Sequence, residues 1–129
     1  MTKDDRRRAD LARATLAGNV AAYAFGADGA DMMCATRGAA HAAFVRQVAM
    51  YLAHVAFEMS LSRVAYAFER DRSTVAHACR VIEDRRDESE FDARIAAREE
   101  ALRLTPAPAA PARAGAGQAL TMRDGLRAR

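Results

Sequence analysis

Lysine is nearly absent from this 129-residue sequence: Lys3 is the only one among 20 basic side chains. A phosphate-binding loop of the form GxxxxGK[ST] needs a lysine directly after its last glycine, so no such loop is present. Long apolar runs are also lacking. The longest, residues 48–57, is interrupted by His54, whereas a membrane-spanning helix needs about 20 apolar residues. These absences exclude nucleotide hydrolysis through that loop and predict a protein without a membrane span.

Cysteine is sparse, and its pattern predicts no redox or metal chemistry. Cys34 and Cys79 are far apart and form no CxxC motif, so we expect both to be reduced and structural. Together with His41, His54 and His77 they also lack the ligand spacing of a zinc site. The sequence therefore predicts neither a metal ion nor any other cofactor.

The net charge of +3 is concentrated near the C-terminus. Residues 105–129 contain four arginines and one aspartate, and they also contain all three prolines. We expect a folded domain over residues 1–104 and a disordered basic tail over residues 105–129. Residues 3–8 mix acids with bases and lead into no apolar signal-peptide core, which predicts a cytoplasmic protein. Because residues 1–104 are neutral overall, nucleic-acid binding would have to come from local clusters.

The folded part is expected to be all-α, with about five to six helices, because alanine is abundant and no alternating Val/Ile/Thr run occurs. A first helix is predicted over residues 4–24, with its apolar face formed by Leu11, Leu16, Val20 and Tyr23. A short helix over residues 30–35, a loop over 36–40 and a core helix over 41–58 follow. The apolar positions of that core helix are Phe44, Val48, Tyr51 or Leu52, Val55 and Met59.

Two short amphipathic helices come next. Ser60 is a plausible N-cap for the first, whose apolar spacing of i, i+3, i+4, i+7 covers Leu61, Val64, Ala65 and Phe68. After the charged residues 69–72, the same spacing returns at Val75, Ala78, Cys79 and Ile82. A final helix is predicted to begin at Ser89 with a capping box to Asp92, and to bury Phe91, Ile95 and Leu102.

A helix pair with this turn length is typical of a helix-turn-helix. The face opposite the apolar stripe of the second helix carries Ser73, His77, Arg80 and Asp84. Three of these four side chains can donate hydrogen bonds, as a major-groove reader requires. A solvated polar face with a charged turn is the other interpretation of this pattern. Ser73 and His77 are also spaced like a nucleophile and its base, but no orienting third group accompanies them, so we expect no enzyme.

The residues of this pair resemble a known family. Residues 70–83, RDRSTVAHACRVIE, are similar to the signature RDHTTV, HA, CRKIE of the C-terminal DNA-binding domain of the bacterial chromosomal replication initiator DnaA. The resemblance runs from about residue 20 to residue 86 and includes Arg46-Gln47 and Ser60-Leu61. It implies a helix-turn-helix that binds double-stranded DNA.

The resemblance also implies roles for individual residues. Arg37 looks like the arginine that enters the minor groove, and Arg46 and Gln47 resemble a pair that contacts phosphates. The positions that approach base edges are matched by Asp71, Arg72, Ser73 and His77. Thr74 matches a hydroxyl that contacts the backbone. Basic residues expected to add DNA contacts are Arg63, Arg70 and Arg80.

Three departures from the family pattern matter. Arg72 and Ser73 stand where the family has histidine and threonine, so base preference is expected to differ. One residue is missing between Phe68 and Arg70, where the family usually has two glycines, so the turn is expected to be tighter. The nucleotide-binding region of the initiator is absent from this sequence.

We therefore expect a stand-alone, sequence-specific DNA binder that regulates replication initiation or transcription, located in the cytoplasm with the nucleoid. It would bind no nucleotide and no membrane. The alternative is a degenerate copy of the domain that acts as an adaptor for other replication or regulatory proteins.

Overall fold

The computed structural model describes residues 2–26 and 35–106, with side chains from residue 38 onward in the second segment. All regular structure in these two segments is helical, which confirms the all-α prediction. There are five helices: α1 (Lys3–Phe25), α2 (Ala35–Ala56), α3 (Leu61–Phe68), α4 (Arg72–Arg85) and α5 (Ser89–Leu104). Residues 30–34 of the predicted short helix, and the predicted tail from residue 107, lie outside the described residues.

Helix α1 begins with a capping box and packs through small residues. The Thr2 hydroxyl accepts a hydrogen bond from the Asp5 main-chain nitrogen, and the Asp5 carboxylate accepts one from the Thr2 nitrogen. The buried face consists of Ala9, Asp10, Ala14, Ala17, Ala21 and Phe25. The predicted face was therefore partly wrong, since Leu11 and Tyr23 are 46% and 92% exposed. Alanines on the inner face let α1 lie close to its neighbours.

Helix α2 is the centre of the fold and packs against each of the other four helices. Residues 48–53 are buried all round, which explains why the apolar run there is continuous. The predicted loop over residues 36–40 is wrong, because α2 already begins at Ala35. The helix ends at Ala56, before Glu58 adopts a left-handed backbone with φ of 58°. His54 Nδ1 donates a hydrogen bond to the Met59 carbonyl oxygen at 2.7 Å and so links the end of α2 to the segment that connects it to α3.

Helices α3 and α4 form the predicted pair. Ser60 caps α3, as expected, by accepting a hydrogen bond from the Arg63 main-chain nitrogen at 3.2 Å. Val64 and Ala65 of α3 are buried, as are Val75, Ala78 and Ile82 of α4. Cys79 lies at the edge of the core and is half-buried. The i, i+3, i+4, i+7 pattern in the sequence thus identified the buried face of both helices.

Helix α5 buries the three predicted side chains Phe91, Ile95 and Leu102. The helix begins at Ser89, as predicted, but the predicted capping box is wrong, because the N-cap is Glu88 and no side chain caps the helix. Asp92, expected to complete a capping box, instead accepts a hydrogen bond from Arg86 Nε. An arginine in the preceding turn is a stronger donor for this carboxylate than a backbone amide would be.

Candidate nucleic-acid interface

The first turns of α4 present a polar surface to solvent. Arg72, Ser73 and Thr74 are exposed, and His77 and Arg80 continue this surface along the helix. The side chains between them, Val75, Ala78 and Ile82, point into the core. All the residues predicted on α4 therefore share one accessible face. A helix that buries one stripe and exposes hydrogen-bond donors on the other has the geometry required for reading base edges.

The turn before α4 is a compact Schellman motif. Glu69 adopts the left-handed conformation with φ 56° and ψ 50°. The Arg70 nitrogen donates to the Ala65 carbonyl oxygen at 2.9 Å, and the Glu69 nitrogen donates to Tyr66 at 3.3 Å. Three residues, 69–71, thus connect the two helices. The connection between Phe68 and Arg70, expected from the sequence to be one residue shorter than in the family, is made by this tight turn.

Asp71 and Arg70 lie at the junction of the turn and α4. Asp71 is the N-cap of α4, but its exposed carboxylate makes no side-chain capping bond. Its main-chain carbonyl oxygen accepts from the Val75 nitrogen at 3.1 Å. The exposed Arg70 guanidinium donates to the Glu69 carbonyl oxygen at 3.3 Å. Both charged groups therefore remain accessible from solvent beside the first turn of α4.

The predicted contacts on α2 are only partly described. Arg46 is exposed and Gln47 is half-buried, directly before the fully buried segment of the helix over residues 48–53. Arg37 belongs to α2 by its backbone, but its side chain lies outside the described residues. The position of the predicted minor-groove arginine therefore stays a prediction.

Arg63, which was expected to add a DNA contact, forms an ion pair within the protein. Its Nε donates to Asp10 Oδ2 at 2.9 Å and its Nη2 donates to Asp10 Oδ1 at 2.6 Å. The Asp10 side chain is only 5% exposed, and the hydrogen bonds that Arg63 donates to its carboxylate raise the pKa of Arg63. This bidentate pair links α3 to α1. Sequence reasoning missed this pair, because Asp10 and Arg63 are far apart along the chain. The available signal was a charged residue, Asp10, among the alanines of the buried face of α1.

The C-terminal half of α4 is held by a second polar cluster. The Tyr51 hydroxyl of α2 donates to Glu83 Oε2 at 2.9 Å and accepts from Arg86 Nη1 at 2.9 Å. Arg86 also donates to Glu99 Oε1 of α5 at 3.1 Å. Burial raises the pKa of Tyr51 to about 12, so the hydroxyl keeps its proton. The cluster joins α2, α4 and α5, and it fixes the helix that carries the exposed donors.

The remaining titratable groups show no catalytic arrangement in the part of the chain that the structure describes. Burial raises the pKa of the Cys79 thiol to about 11, which leaves it protonated and unreactive at neutral pH. His41 donates to the Phe25 carbonyl oxygen at the end of α1. Among the described residues no group of three or more His, Cys, Asp or Glu could hold a metal ion. No helix over residues 2–26 and 35–106 is long and apolar enough to cross a membrane.

Glu69 offers a test of the turn. Glu69→Gly should raise the free energy of unfolding by roughly 0.5 kcal/mol, because glycine adopts φ of 56° without the strain of a Cβ atom. Glu69→Gln keeps the strain and removes only the charge, so its stability should stay within about 0.5 kcal/mol of the wild type. Urea unfolding of both variants measures the difference. Equal stability of the two variants would contradict the assigned backbone strain.

One of the comparisons with known proteins found a match. Residues 18–82 match the family model of the bacterial DnaA protein helix-turn-helix, which is about half of the chain and includes α2, α3 and most of α4. No curated protein and no solved structure matched the chain. The family is a DNA-binding one and is not catalytic. This chain belongs to the bacterial DnaA helix-turn-helix family.

Proposed function

We propose that the protein binds specific sites in double-stranded DNA by placing the first turns of α4 in the major groove. The observation that carries this proposal is the exposure of Arg72, Ser73 and His77 on the side of α4 opposite its buried stripe. Each of these side chains can donate to the acceptors that distinguish base pairs in the major groove. Asp71, at the head of the helix, can accept from the amino group of cytosine or adenine.

Backbone contacts would position α4 over its site. We propose that these contacts to phosphate and sugar come from two helices. Helix α2 contributes Arg37, Arg46 and Gln47, and helix α4 contributes Thr74 and Arg80. Such contacts set the register of the protein on the duplex and carry most of the salt dependence. Arg70 lies in the turn and is accessible for the same purpose.

The biological role that fits this activity is regulation of replication initiation or of transcription, exerted at the nucleoid. The protein would compete for initiator-like sites or occupy sites of its own. Because the chain contains no GxxxxGK[ST] loop, it would act without hydrolysing a nucleotide through such a loop. We further propose that the folded unit ends near residue 104, where α5 ends, and that residues 105–129 add sequence-independent affinity through their net positive charge.

Salt dependence of binding tests the proposal. If about four to six phosphates are neutralised, the logarithm of the affinity should fall against the logarithm of salt concentration with a slope of roughly −4 to −5. Arg46→Ala should reduce the steepness of this slope by about 0.9 and weaken binding to specific and random duplexes alike, since a phosphate contact reads no base. Fluorescence anisotropy with a selected site and a random duplex measures both effects.

Two outcomes would contradict the proposal. A slope near zero for the wild type would exclude DNA binding and favour the adaptor alternative, in which the domain serves as a protein-binding module. Loss of affinity for only one sequence in Arg46→Ala would show that Arg46 reads a base. Arg98→Ala on α5, away from the proposed interface, is the control and should leave both affinities unchanged.

A further inference from the structure

The N-terminal part of α1 forms a cationic surface outside the residues that match the family. The match begins at residue 18, whereas α1 begins at Lys3. Lys3, Arg6 and Arg7 are exposed there, and together with Ser62, Arg63 and Tyr66 of α3 they line an open groove. We call this groove the α1 groove. None of the DNA contacts proposed above involves its α1 residues.

The charges of the α1 groove are available to a ligand. The single acid that lines it, Asp10, is already neutralised by its bidentate pair with Arg63. Among the described residues, no carboxylate lies within ion-pair distance of Lys3, Arg6 or Arg7. Three positive side chains therefore face solvent on one side of the helix, without an ion-pair partner in residues 2–26 and 35–106.

Tyr66 gives the α1 groove a defined shape. The Arg7 guanidinium lies 4.7 Å from the centre of the Tyr66 ring, which restrains this arginine through a cation–π contact. The Tyr66 side chain is 55% exposed, so its hydroxyl can donate to a bound group. A restrained arginine beside a phenolic hydroxyl binds an anionic oxygen more favourably than a fully mobile arginine does, because less side-chain entropy is lost on binding.

The α1 groove is continuous with the proposed DNA interface. Tyr66 also lines a neighbouring groove with Leu11, Glu69, Arg70 and Asp71. That second groove ends at the N-cap of α4, the residue that leads into the exposed reading face. The two grooves therefore form one concave surface from the first turn of α1, over α3, to the turn before α4. The positive charge lies in the α1 groove, whereas in the second groove Arg70 stands between the acids Glu69 and Asp71.

We propose that the α1 groove binds the phosphate backbone of the same DNA duplex, just outside the site that α4 reads. This inference rests on the proposed function and extends the footprint beyond the residues shared with the family. DNA is favoured over an acidic protein because the α1 groove shares Tyr66 with the second groove, which ends at the N-cap of α4. A duplex in contact with α4 therefore continues towards the α1 groove. The positive charges without counter-charge match the regularly spaced phosphates of such a duplex.

Charge-matched variants of α1 test the inference. The double variant Arg6→Gln/Arg7→Gln should reduce the steepness of the salt slope by about 1.8, which corresponds to roughly 30-fold weaker binding at ~0.15 M salt. Arg8→Gln is the matched control, because Arg8 lies on the same helix, pairs with Asp5 at 2.8 Å and does not line the groove. It should leave the slope unchanged. Thermal unfolding of each variant checks that the fold is retained.

Affinity for duplexes of two lengths distinguishes phosphate contacts beside the site from an effect of the overall protein charge. With about 10 base pairs of flanking DNA at both ends of a selected site, the double variant should bind roughly 30-fold more weakly than the wild type. With the flanks trimmed, the two proteins should bind within about threefold of each other, because the phosphates that meet the α1 groove are missing.

The outcomes distinguish this inference from the proposed function. If the wild type binds no duplex at all, both are refuted. If the wild type binds DNA but the double variant matches it on the long duplex, the proposed function stands and the α1 groove has another ligand, such as an acidic protein. Arg8→Gln removes one positive charge and the double variant removes two. If the loss of affinity for each charge removed is the same in both, the loss comes from the overall charge of the protein and the inference is overturned.

Discussion

Arg63→Met should lower the free energy of unfolding by about 2–4 kcal/mol, because it leaves the buried Asp10 carboxylate without its bidentate partner. The Asp10 side chain is 5% exposed, and only Arg13 remains near it, with Nη1 at 3.5 Å from Oδ1. The expected loss of stability is smaller than the largest losses for fully buried ion pairs, because the Arg63 side chain is itself 38% exposed and water screens its charge. For a domain of this size the melting temperature should fall by roughly 10–20 °C.

A double-mutant cycle identifies the cause. Adding Asp10→Ala to Arg63→Met removes the uncompensated charge, so the double variant should be more stable than Arg63→Met alone. Arg8→Met breaks an exposed pair with Asp5 and should cost less than about 1 kcal/mol. Equal losses for Arg63→Met and Arg8→Met would show that the Asp10 pair is no more stabilising than a surface pair.

Arg72→His should change which base is preferred at one position of the DNA site. Arg72 is the first residue of α4, is exposed, and forms no ion pair with Asp71 or Glu69. An arginine fork fits O6 and N7 of guanine bidentately, whereas a histidine ring offers fewer donors. We therefore expect the wild type to favour guanine opposite Arg72 with about 1–3 kcal/mol of discrimination, and Arg72→His to lose that preference.

Selection of binding sites from random duplexes, for the wild type and for Arg72→His, measures this effect. Arg80→Gln is a useful comparison, because Arg80 lies two turns further along α4 and is proposed to contact the backbone. It should weaken all sequences without changing the preferred base. Identical preferences for the wild type and Arg72→His would assign Arg72 to the backbone as well.

The sequence predicted the helices of the interface well because their patterns are local. Ser60 as a cap and the repeated spacing of Val75, Ala78 and Ile82 depend on residues within one or two turns of each other. The face of α1 was predicted less well. Its buried stripe is made of alanines, whose small size carries little signal, while the larger Leu11 and Tyr23 lie on the exposed side.

By itself, the sequence determined the helical class, the family resemblance and the exposed face of α4, because each follows from residue types at short spacing. Only the tertiary structure decided the role of Arg63, the contact of Tyr51 with Glu83 and Arg86, and the groove that Arg7 forms with Tyr66. These contacts join residues that are distant along the chain. The sequence alone does not distinguish an arginine that faces DNA from one that pairs with a buried carboxylate. Packing of α1 against α3 and of α5 against α2 separates the two cases, since it partly removes some arginines from solvent and leaves others exposed.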